Sequence, residues 1–446
     1  MTAKAPLVSV IIPAWNLWDL TRGCLESLHA HTLGGVLEVI VVDNGSTDAT
    51  ASDLEPLGRT LFGDMFHALR LPENKGFAVA SNLGAAQARA GRLLFLNNDT
   101  LATPGWLPPL LRALDDDARL GAVGPLLLYP DTDRVQHCGI AFTPSLSTEH
   151  LYANFPAAHP AVAARRPLQA ITGAALLMGR GLFAKCGGFH EGYLNGSEDL
   201  ELCWRIRERG LKVACVAESR VYHMESRTPG RRDHDAANAA RLNRRCSGCF
   251  GPDLHKLARR DGFELALTPW LETYLTLPAA RTAELMAAHA DFEPGRCWQA
   301  LQADPLWQPG YELLAAFLEG HGRYLEASGV RLLHCYFFPT LPGYRRLALV
   351  AAQAGNPDLA GQAARKIEHV TGLLEDPEPL VRKARGLARW ARRAGEREVG
   401  ALYEGWLADL GLPLQGDGPS DGQDDGQDDG QDDGQDDTSG QPGQGD

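Results

Sequence analysis

Two carboxylates stand at the points where predicted buried strands end. Asp43 closes the apolar run Val39–Val42, and Asp99 follows the run Leu93–Leu96, with Asn97 two positions before it. Carboxylate and amide oxygens suit Mg²⁺ and Mn²⁺, so Asn97 and Asp99 can hold one ion that absorbs a developing negative charge. The Asp43 carboxylate can accept a hydrogen bond from the ring N–H of uracil or thymine. A capped turn without any ligand is the alternative explanation for each segment.

Three more side chains have the types that proton transfer and metal binding require. Glu198 and Asp199 begin a predicted helix that runs to about Arg209, and either can remove a proton from a hydroxyl group. Acids in a first turn also complement the helix dipole, which would be a purely structural role. His223 follows a strand-like run and can add a nitrogen ligand to the ion at Asp99, although a lone histidine is more often structural.

The elements that must position these residues alternate between short apolar runs and amphipathic stretches. Such alternation predicts an α/β fold with a mixed, mainly parallel sheet flanked by helices. Ligands bind beyond the carboxyl ends of the strands in such sheets, so the polar clusters after the first three strands are expected to face one crevice. The predicted strands are Val8–Ile12, Val39–Val42, Leu93–Leu96 and Val213–Val216, and the predicted helices are Leu17–His29 and Ala78–Ala90.

Taken in order, these segments resemble the family 2 glycosyltransferases, inverting enzymes of the GT-A fold, and especially their rhamnosyltransferase-like branch. The resemblance covers about residues 7–228. One departure is Asn97, which stands where the family has the first aspartate of its DxD-type metal motif. The segments that carry the resemblance are Val8–Asn16, Val41–Asp48, Asn74–Asn82, Asn97–Asp99, Thr172–Ala174, Gly187–Phe189, Glu198–Asp199 and His223.

The resemblance implies a nucleotide-diphosphate sugar as donor, with UDP- and dTDP-sugars favoured, and a hydroxyl of a glycan, lipid-linked or protein acceptor. It implies that Asp199 is the catalytic base beside Glu198, and that Mn or Mg is the cofactor. The implied nucleotide-binding residues are Pro13, Trp15, Asn16, Asp43, Asn44, Gly45, Lys75, Gly76 and Asn98. The implied metal ligands are Asp99, His223 and Asn97, and the implied acceptor-side residues are Gly173, Ala174 and Trp204. Packing is the alternative role for Trp204.

Two other classes of protein are alternatives to a glycosyltransferase. A sugar nucleotidyltransferase shares the substrate and the α/β sheet, but it would show a Gly-rich, basic phosphate loop after the first strand. The residues there, Pro13–Asn16, have neither feature. A catalytically weak adaptor that binds proteins through helical repeats would not need Asp99, Asp199 and His223 together.

After about residue 250 the sequence becomes rich in Ala, Leu and Arg with helical patterns. Pro305 and Pro339 are 34 residues apart, and Leu314–Pro339 resembles a tetratricopeptide unit. Arg331 and His334 depart from that pattern, so an unrelated helical bundle remains the alternative. We expect a catalytic domain over residues 1–250 and a helical domain over residues 251–411. The helical domain is a candidate surface for binding a protein partner.

Charge and composition limit the remaining possibilities. The net charge is −13, but residues 415–446 hold eleven Asp and no Lys, Arg or His, which leaves the rest of the chain at −2. A basic nucleic-acid surface is therefore not expected. Gly-Gln-Asp-Asp repeats four times over Gly422–Asp437, a segment with no apolar residue to bury, so the tail over residues 412–446 is expected to be disordered.

The sequence predicts a cytoplasmic location. Nine scattered cysteines form no disulfide framework, no signal-peptide pattern opens the chain, and no apolar run is long enough to span a bilayer. Contact with the inner face of a membrane is at most peripheral. The Cys246 and Cys249 pair has the spacing of half a zinc site without a second half. The basic run Arg227, Arg231 and Arg232 is expected to be a solvated face, with phosphate or lipid-linked acceptor binding as the alternative.

Overall fold

The computed structural model describes residues 5–224 and 234–412. The basic run Arg227, Arg231 and Arg232 and the repeated Gly-Gln-Asp-Asp segment lie outside the described residues.

The first part of the chain alternates strands and helices. Its strands are β1 Val8–Ala14, β2 Leu37–Asp43, β3 Phe66–Arg70, β4 Arg92–Leu96, β5 Thr100–Ala102, β6 Leu120–Leu128, β7 Val135–His137, β8 Ile140–Phe142, β9 Thr148–His150, β10 Ala175–Gly179 and β11 Lys212–His223. Its helices are α1 Trp18–His31, α2 Thr50–Phe62, α3 Gly76–Gln87, α4 Leu107–Asp116, α5 Pro160–Ala163, α6 Arg180–Lys185, α7 Glu198–Arg207 and α8 Asp235–Arg245.

The main sheet has the order β3-β2-β1-β4-β10-β6-β11-β5, and β7 pairs with β6. The run from β3 to β4 is parallel, β10 is antiparallel to both β4 and β6, β6 and β11 are parallel, and β5 is antiparallel to β11. Strands β1 and β2 are buried almost throughout and consist mainly of Val, Ile and Leu, because helices cover both faces of the sheet. The predicted α/β fold, with a mixed, mainly parallel sheet flanked by helices, is confirmed.

All four predicted strands and both predicted helices exist, with shifted ends. The first strand continues through Pro13 to Ala14, and the last runs twelve residues to His223 rather than stopping at Val216. The register between β11 and β6 shifts between Val216 and Arg220, which interrupts the regular pattern that a sequence analysis follows. This longer strand brings His223 to the edge where the candidate site lies.

The second part of the chain is mainly helical. Its elements are α9 Leu254–Arg260, the hairpin strands β12 Glu264–Leu267 and β13 Thr273–Thr276, and then α10 Ala279–Ala288, α11 Pro294–Ala303, α12 Gln308–Gly320, α13 Tyr324–Phe337, α14 Leu341–Gln353, α15 Pro357–Glu375, α16 Glu378–Ala394 and α17 Arg397–Asp409. Consecutive helices from α11 to α15 contact one another, as do α16 and α17. The hairpin is an addition that the sequence analysis did not predict. None of the described helices is both long and apolar enough to cross a membrane.

Arg331 and His334, the two departures from the tetratricopeptide pattern, are both buried on α13. The Arg331 guanidinium donates a 2.8 Å hydrogen bond to Glu319 of α12 and pairs with Glu312 as well. Arg346 of α14 also pairs with Glu319. Buried ionic contacts thus replace the aromatic and small residues that a standard repeat would use to join its helices.

A single hydrophobic cluster continues across the boundary near residue 250. It includes Ile11 and Phe95 of the sheet together with Trp307 and Val350 of the helical part. At the junction, the rings of Phe155 and Phe337 meet edge to face with centroids 5.6 Å apart. The helical part is therefore packed directly onto the α/β part.

Candidate active site

A cleft of about 640 Å³ opens beyond the strand ends of the sheet. All three polar clusters that the sequence predicted to share a crevice contribute to it, which confirms that prediction. The residues that line it are Pro13, Ala14, Trp15, Asn44, Asn74, Phe77, Asn97, Asn98, Asp99, Ile140, Thr148, His150, Thr172, Gly173, Ala174, Asn195, Gly196, Ser197, Glu198, Asp199, Leu200, Asp235 and Asn238.

Strand register brings His223, which does not itself line the cleft, against Asp99, which does. His223 pairs with Thr100 in the antiparallel β11–β5 ladder, and the Met224 N–H donates a 2.9 Å hydrogen bond to the Asp99 carbonyl oxygen. Nε2 of His223 consequently lies 3.2 Å from Oδ1 of Asp99, and both side chains are largely buried. The structure therefore brings together two of the three predicted metal ligands, 124 positions apart in the chain.

Gln136 of β7 orients the His223 ring. Its Oε1 lies 2.6 Å from Nδ1 of His223, and its amide Nε2 donates a 2.9 Å hydrogen bond to the His223 carbonyl oxygen. A carbonyl oxygen only accepts, so the proton of a neutral imidazole lies on Nδ1 and the Nε2 lone pair faces Asp99. Ligand histidines in metalloproteins are held in this way.

The third predicted ligand, Asn97, lies 3.3 Å from Nε2 of His223 through its Nδ2. In the described part of the chain, no group of three or more His, Cys, Asp or Glu side chains is arranged to hold a metal ion. An imidazole, one carboxylate and one amide fit Mn²⁺ or Mg²⁺ only if substrate oxygens complete the coordination. The donor set therefore fits an ion that arrives with a diphosphate better than a resident structural ion.

Asp199 lies at the first turn of α7, at the side of the cleft formed by residues 172–174. Its Oδ2 accepts a 2.7 Å hydrogen bond from the Gly173 N–H, and its Oδ1 accepts one of 2.8 Å from the Leu200 N–H. Burial raises the pKa of Asp199, and these backbone hydrogen bonds oppose the rise without cancelling it. A carboxylate with a raised pKa is a stronger base and thus better suited to take a proton from a hydroxyl.

Glu198 has a different environment from Asp199 although the two are adjacent. It is buried, and its Oε2 accepts a 2.7 Å hydrogen bond from the Gly196 N–H. The loop before it is strained, since Asn195 and Ser197 have φ values of 57° and 73°, in the left-handed region. Glu198 therefore stabilises the loop that leads into α7. Backbone strain of this kind is typical of functional sites.

The nucleotide-side residues form a hydrogen-bonded loop system. Asp43 Oδ1 accepts a 2.8 Å hydrogen bond from the Ser46 N–H. The capped turn, which was the alternative explanation for this segment, is therefore present. Asn44 Nδ2 donates to Asn74 Oδ1 at 2.8 Å, and its Oδ1 accepts from the Lys75 N–H at 2.8 Å. Nucleotide binding by this turn stays a prediction.

Not every predicted residue lines the cleft. Asn16 accepts a 2.8 Å hydrogen bond from the Thr47 N–H, and Lys75 is exposed and paired with Glu73. Trp204 is half-buried further along α7, outside the cleft lining. The other predicted nucleotide-side residues that do not line it are Asp43, Gly45 and Gly76.

Several cleft residues escaped the sequence analysis. His150 comes from the segment between β6 and β10, and Asn195, Asp235 and Asn238 come from α8 or the loop before α7. Gln136 of the same segment does not line the cleft but contacts His223. Asn238 accepts from the Leu194 N–H at 3.2 Å and donates to the Leu194 carbonyl oxygen at 2.9 Å. The available signal was the polar pair Gln136–His137 within an otherwise apolar strand.

The α/β part of the chain, which carries the cleft, is similar to known glycosyltransferases. Residues 9–161 match the family model described as Glycosyl transferase family 2. The crystal structure of GalNAc-T7 with UDP, GalNAc and Mn2+ covers 49% of this chain and 44% of that chain, with 18% identity and a TM-score of 0.42.

Three curated relatives are similar to about half of the chain. The uncharacterized protein y4gI of Sinorhizobium fredii is 32% identical over 51% of this chain and 25% of that protein. The O-antigen biosynthesis protein RfbC of Myxococcus xanthus is 32% identical over 50% of this chain and 17% of that protein. The N-acetylglucosaminyl-diphospho-decaprenol L-rhamnosyltransferase of Mycobacterium tuberculosis is 28% identical over 49% of this chain and 76% of that protein. The chain thus spans a quarter or less of the length of the first two.

Proposed function

We propose that the chain transfers a sugar from a nucleotide-diphosphate sugar to a hydroxyl of a glycan acceptor, with inversion at the anomeric carbon. The observation that carries the proposal is the arrangement of one cleft: Asp199 lines the same space as Asp99, which His223 contacts at 3.2 Å. A proton acceptor and a cation-binding pair in one cleft are the two components that displacement of a diphosphate requires.

Each described side chain has a defined task in this proposal. Asp99 and His223, oriented by Gln136, hold Mn²⁺ or Mg²⁺ together with diphosphate oxygens. The ion supplies Lewis-acid stabilisation of the leaving diphosphate. Asp199 accepts the proton of the acceptor hydroxyl as the hydroxyl attacks the anomeric carbon and the bond to the diphosphate breaks. One displacement without a covalent intermediate inverts that carbon.

For the nucleotide and the acceptor, the proposal rests on the loop system and the relatives. We assign the base to the turn at Asp43 and Asn44, because a carboxylate can accept a hydrogen bond from the ring N–H of uracil or thymine, and this assignment favours UDP- or dTDP-sugars. A relative named as a rhamnosyltransferase acting on a diphospho-decaprenol sugar, and another named for O-antigen biosynthesis, favour a lipid-linked glycan over a protein as acceptor.

A donor panel tests the proposal. UDP-, dTDP- and GDP-sugars are assayed for thermal stabilisation and for hydrolysis, with Mn²⁺ and with excess EDTA. We expect one nucleotide class to raise the melting temperature, and to do so more with Mn²⁺ than with EDTA, because binding to the native state alone stabilises it. No stabilisation and no hydrolysis with any donor would contradict the proposal.

A further inference from the structure

The loop that leads into α7 is held from two sides. On the α3 side, Oδ1 of Asn195 accepts a 3.0 Å hydrogen bond from the Phe77 N–H. On the other side lies α8, whose Asn238 side chain pairs with the backbone of Leu194. Because the loop runs directly into α7, whatever holds it also sets where the first turn of the helix presents Asp199.

The Asn238 amide pairs with both backbone groups of one residue. Its Nδ2 donates a 2.9 Å hydrogen bond to the Leu194 carbonyl oxygen, and its Oδ1 accepts one of 3.2 Å from the Leu194 N–H. A side-chain amide supplies both the donor and the acceptor that this pair needs, without a charge. Asn238 is only 4% exposed although it lines the cleft, so the pair is shielded from water.

Two arginines on the same face of α8 continue this contact. Asn238, Arg241 and Arg245 are spaced i, i+3 and i+7 and therefore lie on one side of the helix. The Arg241 guanidinium lies over the Tyr193 ring, 6.0 Å from its centroid. Arg245 donates hydrogen bonds of 2.8 and 2.9 Å to the two carboxylate oxygens of Glu201. One face of α8 thus contacts the chain both before and after the proposed base.

Glu201 anchors α8 to α7. It is fully buried, and its carboxylate also accepts a 2.8 Å hydrogen bond from the Tyr193 hydroxyl. Burial alone would raise the pKa of Glu201, but the hydrogen bonds from Arg245 and Tyr193 outweigh burial and lower the pKa, so the carboxylate is ionised. Removing Arg245 would leave a buried charge poorly compensated and would destabilise the fold. The uncharged Asn238 is therefore the better residue at which to test the contact.

We propose that Asn238 is a positioning residue for Asp199. By holding Leu194 it fixes the loop before α7, and the fixed loop keeps Asp199 where it accepts from the Gly173 N–H and takes the proton of the attacking hydroxyl. Asn238 acts through the loop and binds neither the donor nor the acceptor. This inference rests on the proposed function, and it gives α8 a part in the reaction that no sequence motif indicated.

The test separates positioning from binding, with water as the attacking hydroxyl. Wild type, Asn238→Ala and Asn238→Gln are compared with Asn243→Ala, which removes an exposed asparagine of the same helix. Donor affinity is measured by calorimetry, and kcat and KM are measured for donor hydrolysis. For Asn238→Ala we expect kcat to fall about 10- to 100-fold, because a displacement of about 1 Å is enough for such a loss. Donor affinity and KM should stay near the wild-type values.

The pH profile of hydrolysis adds a readout that a loss of stability alone would not move. Burial raises the pKa of Asp199. A loosened loop in Asn238→Ala admits water to the carboxylate and lets this pKa fall, so the acidic limb should move to lower pH. Asn238→Gln keeps a donor and an acceptor on a longer side chain and should recover part of kcat. Asn243→Ala should match the wild type.

Three results would overturn the inference and leave the proposed function intact. The first is an unchanged kcat or an unmoved acidic limb in Asn238→Ala. The second is weaker donor binding with kcat retained, since Asn238 would then bind the donor directly. The third is a wild type that binds the donor without hydrolysing it, because Asp199 then does not activate water. Absence of both donor binding and hydrolysis in the wild type is the separate failure of the proposed function.

Discussion

Oδ2 of Asp199 accepts a 2.7 Å hydrogen bond from the backbone N–H of Gly173. A Cβ at position 173 would lie 3.3 Å from the Cβ of Asp199, which is a tight contact, and 3.6 Å from its Oδ2, which is an ordinary one. A side chain at 173 would therefore require Asp199 to shift slightly. The small residue at 173 therefore allows the backbone to approach the carboxylate and hold it.

Replacing Asp199 by Asn should lower transfer by at least about a hundredfold, because the amide keeps the shape but cannot take a proton. Donor affinity measured by calorimetry should remain, since the proposal assigns donor binding to Asp99 and not to Asp199. Glu198→Gln is the matched control, and we expect a smaller loss because Glu198 accepts from Gly196 and supports the loop. Near-native transfer by Asp199→Asn with complete loss in Glu198→Gln would show that the base is the other acid.

The pH profile of transfer provides a second test of Asp199. Its pKa is raised by burial, so the acidic limb of the profile should lie above the usual aspartate value of about 3.9. Transfer requires the ionised form and therefore rises as the pH rises through this pKa. The charge of His150 lowers the pKa of Asp199, so His150→Ala should move the acidic limb to higher pH. A limb at the same pH in both proteins, at saturating Mn²⁺, would argue against Asp199 as the titrating base.

Gln136 provides a test of the metal site at a residue that is not itself a ligand. Gln136→Leu removes the acceptor for Nδ1 of His223, and we expect the apparent Mn²⁺ affinity to fall about 10- to 100-fold. Hydrolysis of the donor is measured against Mn²⁺ concentration, and saturating Mn²⁺ should restore much of the rate. Asp99→Ala is the comparison, because loss of a proposed ligand should weaken metal-dependent donor binding that added Mn²⁺ does not restore. An unchanged Mn²⁺ dependence in Gln136→Leu would show that His223 does not bind the ion.

Gly45 gives a prediction about stability. It has a φ of +80°, and a Cβ there would lie 2.6 Å from the Glu73 Cα. Gly45→Ala should therefore lower the free energy of unfolding by more than the roughly 1–3 kcal/mol of backbone strain alone. Gly105→Ala is the control, since Gly105 has a φ of +75° with open space around it. Equal losses in the two variants, measured by urea unfolding, would mean that the loop at Glu73 moves aside.

Removing residues 415–446 should change neither the melting temperature nor donor hydrolysis. The segment has no apolar residue other than two prolines and cannot add to a core. Thermal denaturation and hydrolysis of the truncated and full chains are compared. A clear loss in either would show that these residues contact the rest of the protein.

Local patterns were sufficient to predict the α/β class, because strands such as Val39–Val42 are continuous apolar runs. Asp99, Asp199 and His223 could be selected as candidates because each follows or begins a recognisable element, but their predicted roles came from the family resemblance. The role of Gln136 could not be predicted from the sequence, because it depends on tertiary pairing. Strand β7 pairs with β6, β6 pairs with β11, and the register of β11 places His223. His150 was missed for a similar reason. A short hairpin gives little periodicity, and only the tertiary fold brings His150 to the cleft that Asp199 lines.

The apolar cluster that joins the sheet to the helical part has a consequence for how the protein comes apart. Phe155 and Phe337 belong to one continuous core, so exposing either part alone would leave a large apolar surface in water. We propose that the α/β part, up to about residue 250, and the helical part after it melt in one cooperative transition, although the sequence reads as two domains. A fragment ending near residue 250 would then be prone to aggregate, and the helical repeats could not be exchanged between relatives as a detachable module.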